Sequence, residues 1–145
     1  MAHAKELINE LLVEVFNQIL NIEADVLKEK GVKLSMTEIH VLEAIRNTDV
    51  PTMGNIAHRL RITLGTLTTS VNVLVKKEFV TRYREEHDRR KVYLKLNTSA
   101  KEALKVHDSF HEDMISSIMD DLKLDEDKVL IKSLENITDY FKNKY

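Results

Sequence analysis

The side chains best suited to bind a ligand lie close together, in residues 63–77. Apolar residues recur there with the period of an α-helix, so one face is buried. Those residues are Leu64, Leu67, Val71 and Leu74. The remaining surface carries short uncharged donors and acceptors, chiefly Thr66, Thr69, Ser70 and Asn72. Thr and Ser are poor helix formers, so an exposed helix face made of them needs a reason. Entry into a DNA groove is one, because short hydroxyls reach base edges and phosphates without clashing.

A basic segment follows this stretch. Residues 79–84 and 91–96 read as two strands, and the six residues between them as a loop that contains His-Asp-Arg-Arg. Between His58 and Lys95 ten Lys and Arg residues face four acids, a net charge of +6 in a chain whose total is −2. A positive centre between acidic arms predicts local phosphate binding. The alternative is a chance fluctuation of charge on a solvated face.

Four side chains could bind a metal ion. His107 and His111 are one helical turn apart, a spacing that can chelate zinc, and Glu23 and His40 could complete the set. Two histidines at this spacing also occur by chance, and a buried polar network is the favoured alternative. The chain has no cysteine, which excludes disulfides, thiol nucleophiles and Cys-based zinc sites.

Helices must position these groups. The pattern predicts a first helix over 4–29 that ends at Gly31, and a capping box at Ser35–Glu38 that opens the next. Pro51-Thr52 opens a shorter helix, and residues 61–63 form the turn into the Thr-rich helix. Thr98 is expected to cap a long helix to about residue 122, and Asp125 a last one to about residue 142.

Two helices joined by a short turn, followed by a hairpin, form a winged helix-turn-helix. We therefore expect a mostly α fold with a small β-hairpin wing. The apolar stripe of the first helix is too broad for a lone surface helix. We expect residues 1–34 and 98–145 to form a dimerisation arm and residues 35–97 the DNA-binding domain.

Composition limits the alternatives. The chain has 145 residues, one proline and three glycines, which indicates long helices and few loops. It has no run of 18 apolar residues and no signal-peptide core, so we expect a cytoplasmic protein that does not enter membranes. It has no nucleophile elbow, phosphate loop or Cys/His pair, so we expect no enzyme activity. A winged helix used only for protein assembly remains a further alternative.

The chain resembles the MarR family of bacterial regulators. The resemblance rests on Leu-Val-Lys-Lys-Glu-Phe-Val at 74–80, Asp-Arg-Arg at 88–90 and Leu-Lys-Leu-Asn-Thr at 94–98. Glu78 departs from the family pattern, which has Gly at this helix end. Glu78 would either adopt the left-handed backbone conformation, at a cost in free energy, or end the helix in a different way.

The family resemblance implies roles for the wing residues. Arg90 would enter the DNA minor groove, where negative potential is high, and Asp88 would hold its side chain. Arg89 and Lys91 would contact phosphates. The alternative is that Asp and Arg pair only to stabilise the turn.

The recognition helix supplies the other DNA contacts. We expect Thr66, Thr69 and Ser70 to contact the groove, with Thr68 and Asn72 at its flank and Thr63 as the N-cap. Lys76 and Lys77 would reach phosphates or lie on a solvated last turn. Gly65 permits either close approach of the DNA backbone or a cramped helix crossing.

Within the family, residues 62–70 are similar to the repressors of fatty-acid biosynthesis genes in Gram-positive cocci. Residues 22–23, 38–40 and 107–114 are similar to the same branch. This resemblance implies a corepressor, an acyl chain on acyl carrier protein, and no required cofactor. An acyl tunnel could be lined by Phe16, Leu20, Met36, Phe110 and Met114, which could equally be plain core. A regulator that responds to zinc or to a phenolic ligand is the alternative.

Overall fold

A computed structural model describes all 145 residues, and it confirms the mostly helical fold with a hairpin wing. Seven α-helices and one antiparallel hairpin make up the chain. The helices are α1 (Ala2–Asn9), α2 (Phe16–Glu29), α3 (Met36–Arg46), α4 (Met53–Leu60), α5 (Leu64–Lys76), α6 (Thr98–Leu122) and α7 (Lys128–Lys144). The strands are β1 (Val80–Glu85) and β2 (Asp88–Leu96).

The chain divides into two compact units, Met1–His107 and Asp108–Tyr145. The first unit holds the core, in which α3, α4, α5 and the hairpin meet the start of α6. Its fully buried residues include Ile39, Leu42, Ile56, Leu67, Leu74, Leu94 and Leu104. Except for Leu94 on β2, these side chains are apolar positions of the helical periods, so burial of one stripe on each helix sets the orientation of α5. The division into 1–34, 35–97 and 98–145 stays a prediction.

The first helical run is longer than predicted and is interrupted. A π-helical segment, Glu10–Val15, joins α1 to α2. A π-helical turn holds one residue more than an α-helical turn, so this segment is a local departure from the regular helix that was predicted. Gly31 ends the run as expected, with a left-handed φ of 79°. The amide of Val32 then donates to the carbonyl of Leu27 at 2.9 Å, which closes the helix end.

Side-chain caps begin the next three helices. The Glu38 amide donates to Ser35 Oγ at 3.1 Å, and the Ser35 amide donates to Glu38 Oε2 at 3.1 Å, which confirms the capping box. Thr52 Oγ1 accepts from the Asn55 amide at 3.1 Å at the start of α4. Thr63 Oγ1 accepts from the Thr66 amide at 3.1 Å, so Thr63 is the N-cap of α5.

The wing differs from its prediction. β2 begins at Asp88 rather than at residue 91, and only Glu86 and His87 separate the strands, so the predicted six-residue loop is wrong. The pairing runs from Val80–Leu96 to Glu85–Asp88, with a shift of register after Tyr83. The basic residues after His87 therefore extend the hairpin instead of forming a loose tip.

The helix starts near the C-terminus also differ from their predictions. Thr98 is the first residue of α6, and the carbonyl of Asn97 before it accepts from the amides of Ala100 and Lys101. In the second unit a short 3-10 segment, Leu124–Glu126, precedes α7. Asp127 caps α7 by accepting from the Leu130 amide at 2.9 Å, so the prediction of Asp125 is wrong by two residues.

Large apolar side chains are exposed in both units. In the first unit those along the first helical run include Leu7, Ile8, Leu11, Leu12, Val13, Phe16 and Ile22. In the second they include Ile115, Ile118, Leu122, Val129, Ile131, Leu134, Ile137, Tyr140 and Phe141. Contiguous apolar faces of this kind mark interaction surfaces. None of the helices combines the length and apolar character that crossing a bilayer requires.

Candidate nucleic-acid interface

A tight turn connects α4 to α5. Arg61 adopts a left-handed φ of 55° at the end of α4, and the Ile62 amide donates to the Ala57 carbonyl at 3.1 Å. Thr63 then caps α5 immediately. The two helices are thus joined by three residues, as expected for a helix-turn-helix.

The outer face of α5 carries its hydroxyl groups in defined positions. Thr68 Oγ1 donates to the Leu64 carbonyl at 2.8 Å, and Thr69 Oγ1 donates to the Gly65 carbonyl at 3.2 Å. Hydroxyl oxygens that donate back to their own helix still have lone pairs for an incoming donor. Thr66 and Thr69 are exposed, whereas Ser70 is half-buried on the side of Leu67 and Leu74.

Gly65 lies at the start of α5 with free space beside it. A Cβ atom built there would have no heavy atom within 4 Å. The alternative of a cramped helix crossing is therefore wrong. The bare backbone faces open space, and close approach of DNA at this position stays a prediction.

The wing presents Arg90 to solvent, and Asp88 holds this side chain at its base. Asp88 Oδ1 accepts from the Arg90 amide at 3.1 Å and lies 3.6 Å from Arg90 Nε. The Arg90 side chain is 95% exposed, and that of Asp88 is 28% exposed. The Arg84 guanidinium donates to the carbonyl of Arg89, which ties the two strands together near the turn.

A groove separates α5 from the wing. We call it the helix–wing groove; it measures about 690 Å³ and is lined by Leu64, Thr68, Asn72, Arg82, Arg84, Arg90 and Lys91, with residues 52–55 and Val92. Of the predicted DNA-binding residues, the structure brings Thr68, Asn72, Arg90 and Lys91 together here. Thr66, Thr69, Ser70, Lys76, Asp88 and Arg89 lie outside its lining.

Arg82 and Arg84 are not among the site residues predicted from the sequence. Both line the helix–wing groove, and the Arg82 guanidinium donates to Oδ1 of Asn72. A signal was available, since arginines two positions apart on a strand project from the same face. Which face that is depends on pairing with β2, and the pairing is not local.

The end of α5 is anchored away from the groove. Lys77 Nζ donates to both carboxylate oxygens of Glu38, at 3.2 and 3.0 Å, and to the Lys33 carbonyl at 3.2 Å. Lys77 thus holds α5 to the start of α3. Glu78 takes a left-handed φ of 65°, and its carbonyl accepts from Asn97 Nδ2 and Ser99 Oγ, both at 2.9 Å.

Comparison with known proteins agrees with this geometry. The model of the MarR family matches residues 34–92, the part that holds the helix-turn-helix and most of the wing. Transcriptional regulator ZitR of Lactococcus lactis is 30% identical over 117 residues, which cover 79% of this chain and 80% of ZitR. The chain belongs to the MarR family. Its relatives are transcriptional regulators, so the expectation that it is not an enzyme is confirmed.

Two further similarities refine this assignment. The solved structure of Streptococcus pneumoniae FabT in complex with DNA has a TM-score of 0.87 and 32% identity, and covers 97% of this chain and 99% of FabT. This similarity confirms the resemblance to the branch of fatty-acid-biosynthesis repressors. The HTH-type transcriptional regulator PchR of Bacillus subtilis is 26% identical over 107 residues. That match covers 72% of this chain but only 63% of PchR.

The predicted effector residues of this MarR-family chain lie in both units. In the first unit Phe16 is exposed, Leu20 is half-buried, and Met36 packs against the core. Phe110 and Met114 are half-buried residues of α6 in the second unit. The acyl tunnel stays a prediction.

The predicted metal ligands include one buried acid–base contact. His107 and Glu23 are each 2% exposed, and His107 Nε2 contacts Glu23 Oε1. On the other side of the ring, His107 Nδ1 lies 3.2 Å from Glu43 Oε1. Carboxylates thus face both nitrogens of the imidazole, in a polar network that links α2, α3 and α6. His40 is half-buried on α3, and His111 lies one turn after His107 on α6. Their role as zinc ligands stays a prediction.

Proposed function

We propose that this MarR-family regulator is a homodimeric repressor that binds a pseudo-palindromic operator and controls fatty-acid biosynthesis genes. The observation that carries the proposal is the helix–wing groove, which has Thr68 and Asn72 of α5 on one wall and Arg82, Arg84 and Arg90 of the wing on the other. A helix of this kind reads base edges in the major groove, and an exposed arginine fits the adjacent minor groove.

Charge supports the same assignment. The net charge of +6 between His58 and Lys95 coincides with the segment that forms α5 and the wing. Phosphate contacts position a protein on DNA, and base contacts give specificity. In this chain Arg89, Lys91 and Lys76 would contact phosphates, while Thr66, Thr69 and Arg90 would enter the grooves. FabT, which is similar over nearly its whole length, was solved in complex with DNA.

The exposed apolar faces of the two units support assembly with a second copy. A two-fold dimer would place two recognition helices about 34–36 Å apart, one turn of DNA, and a pseudo-palindrome matches that symmetry. Burial of the exposed leucines and isoleucines would supply the association energy. Residues 1–34 and 98–145 are the proposed dimerisation segments.

Binding to DNA is tested by selection. Duplexes are selected from a random library of 30 base pairs with the wild-type protein, and the affinity for the selected duplex is measured from about 50 to 200 mM salt. We expect a pseudo-palindromic consensus and a steep loss of affinity with salt, because bound phosphates release counterions. Failure to enrich any duplex, or binding that does not depend on salt, would show that this fold serves protein assembly instead.

The corepressor is proposed as a long acyl chain carried on acyl carrier protein. Support comes from the resemblance to the fatty-acid branch and from the apolar side chains of Phe16, Leu20, Met36, Phe110 and Met114. Acyl-chain binding would favour the dimer form whose two lobes match the operator. The test compares operator affinity with acyl-loaded and with unloaded carrier protein. We expect the regulator to bind the operator more tightly with acyl-loaded carrier protein than with unloaded carrier protein. Equal operator affinity with the two forms would contradict the proposal.

The buried contact between Glu23 and His107 favours a second candidate, a regulator that responds to zinc through Glu23, His40, His107 and His111. Carboxylate and imidazole are both zinc ligands. Operator binding would then change when a chelator removes zinc, whether or not carrier protein is present. A phenolic ligand is the third candidate effector, and it would act with neither zinc nor carrier protein.

A further inference from the structure

We infer that Arg82 is a positioning residue that fixes the spacing between the recognition helix and the wing by holding Asn72; the inference rests on the proposed DNA-binding function. Arg82 lies in the middle of β1, and Asn72 lies on the exposed face of α5 one turn after Thr68 and Thr69. The Arg82 guanidinium donates a hydrogen bond to Oδ1 of Asn72. This bond joins the element that would enter the major groove to the one that carries Arg90.

The strand register explains why Arg82 points at α5. Arg82 pairs directly with Leu94, and paired residues of an antiparallel sheet project from the same face. Leu94 is 1% exposed and faces the core. The neighbouring pair, Tyr83 and Tyr93, stacks on the other face with its ring centroids 5.3 Å apart. Arg82 is therefore directed to the body of the protein, and the side chain it meets there is Asn72.

The hairpin needs a second attachment on this side. A two-stranded hairpin alone is marginally stable, so contacts with the body decide its position. On the β2 side the Leu94 amide donates to the Pro51 carbonyl at 2.9 Å, and Tyr93 forms a bridge to Thr52. On the β1 side the bond from Arg82 to Asn72 holds the strand to α5. Arg82 lies three residues, or about 10 Å along the strand, before Glu85 at the turn.

The bond between Arg82 and Asn72 determines whether α5 and Arg90 can enter their two DNA grooves at the same time. Arg90 lies beyond Arg82 along the hairpin, so a small rotation at the base moves its guanidinium much further. The adjacent groove on the duplex lies at a fixed distance from the major groove that α5 would enter. Loss of the bond between Arg82 and Asn72 would thus weaken the minor-groove contact although Arg90 itself is unchanged.

A double-mutant cycle tests the inference on the duplex selected with the wild-type protein. We expect Asn72→Ala and Arg82→Ala each to weaken binding about tenfold. Because both remove the same bond, the double variant should also lose about tenfold. Hydroxyl-radical footprints should show reduced protection of the flanking minor groove in Asn72→Ala. Losses that multiply to about a hundredfold, or an unchanged footprint, would contradict the inference.

Arg82→Lys separates geometry from charge, because lysine keeps the charge but lacks the planar fork of the guanidinium. We expect Arg82→Lys to keep the salt dependence of DNA binding and to lose the footprint of the wing. Wild-type values of both would show that charge alone is sufficient.

Lys95→Gln is the matched control, since Lys95 lies on the opposite face of the hairpin, paired with Thr81. Thermal unfolding checks that each variant is folded, and Asn72→Ala changes only an exposed side chain. If the wild type selects no duplex, the proposed function fails; if it does and the losses multiply, only the role of Arg82 fails.

Discussion

The Asp88 side chain contacts both the backbone and the side chain of Arg90: Asp88 Oδ1 accepts from the Arg90 amide at 3.1 Å and lies 3.6 Å from Arg90 Nε. Most exposed arginines sample many rotamers, and ordering them on binding costs entropy. A carboxylate at the base of the side chain removes part of that cost. Asp88 would therefore favour the DNA contact proposed for Arg90, although DNA would repel the Asp88 carboxylate itself.

Replacement of these two residues should have different effects. Arg90→Ala should weaken binding to the selected duplex at least tenfold and reduce the salt slope by about one, because the minor groove loses the cation that its negative potential attracts. Asp88→Ala should leave non-specific binding intact but reduce the preference for A·T-rich flanks, since Arg90 loses its orientation. Competition between duplexes that differ only in their flanking base pairs measures this preference. An unchanged preference in Asp88→Ala would mean that the pair only stabilises the turn.

Gly65→Ala should stabilise the free protein and weaken DNA binding. A methyl group at this position meets no atom within 4 Å, and alanine is the better helix former by about 0.5–1 kcal/mol. Chemical denaturation should show this gain, while affinity for the selected duplex falls several-fold because the methyl group meets the DNA backbone. Unchanged affinity would remove Gly65 from the interface.

Glu78→Gly should also stabilise the protein, for a different reason. Glu78 has a φ of 65°, a conformation that costs a residue with a Cβ about 1–2 kcal/mol. Glycine avoids that cost but loses about 0.4–1 kcal/mol through the entropy of the unfolded chain. The net gain should lie between about 0 and 1.6 kcal/mol, or up to ~5 °C in Tm for a chain of this size. Gly31→Ala, at a φ of 79°, is the converse control and should lower Tm.

Replacing one member of the buried pair Glu23–His107 should lower the free energy of unfolding more than replacing both members with apolar residues. His107→Leu leaves the Glu23 carboxylate buried without the imidazole, and should lower the free energy of unfolding by about 3–5 kcal/mol. The double variant Glu23→Leu/His107→Leu should recover part of this loss, because the buried carboxylate is removed together with its partner, and the Glu43 carboxylate that remains is 28% exposed. Urea denaturation gives both values. A double variant less stable than His107→Leu would show that Glu23 has other partners that matter more.

The sequence predicted those features that local chemistry decides. Ser35 and Thr63 cap their helices through bonds to residues three positions later, and Gly31 ends a helix through its own φ. Each is visible within one helical turn of sequence. The family resemblance supplied the role of the wing, which periodicity alone did not.

The features that sequence reasoning missed depend on distant residues. The strand at Asp88 exists because Glu85 pairs with it, and nothing in Asp-Arg-Arg-Lys favours a strand locally. Arg82 acquires its role from Asn72, ten residues away on another element. Asp125 and Asp127 are equally good caps by composition, and the short 3-10 segment between α6 and α7 decides between them.

The π-helical segment Glu10–Val15 sets the phase of the first helical run. Apolar residues recur there at Ile8, Leu12, Phe16 and Leu20, and the buried positions follow at Glu23 and Leu27. The intervals between these positions average more than the 3.6 residues of an α-helical turn. In a regular α-helix the apolar residues at the start of the run would therefore lie on a different side from Glu23 and Leu27. One wider turn returns the later residues to the same side. Deletion of one residue within this segment would leave a regular α-helix with both faces still aligned, whereas a deletion between the segment and Glu23 would rotate everything before it by about 100°, so the extra residue of the wide turn is what fixes the alignment of the two halves.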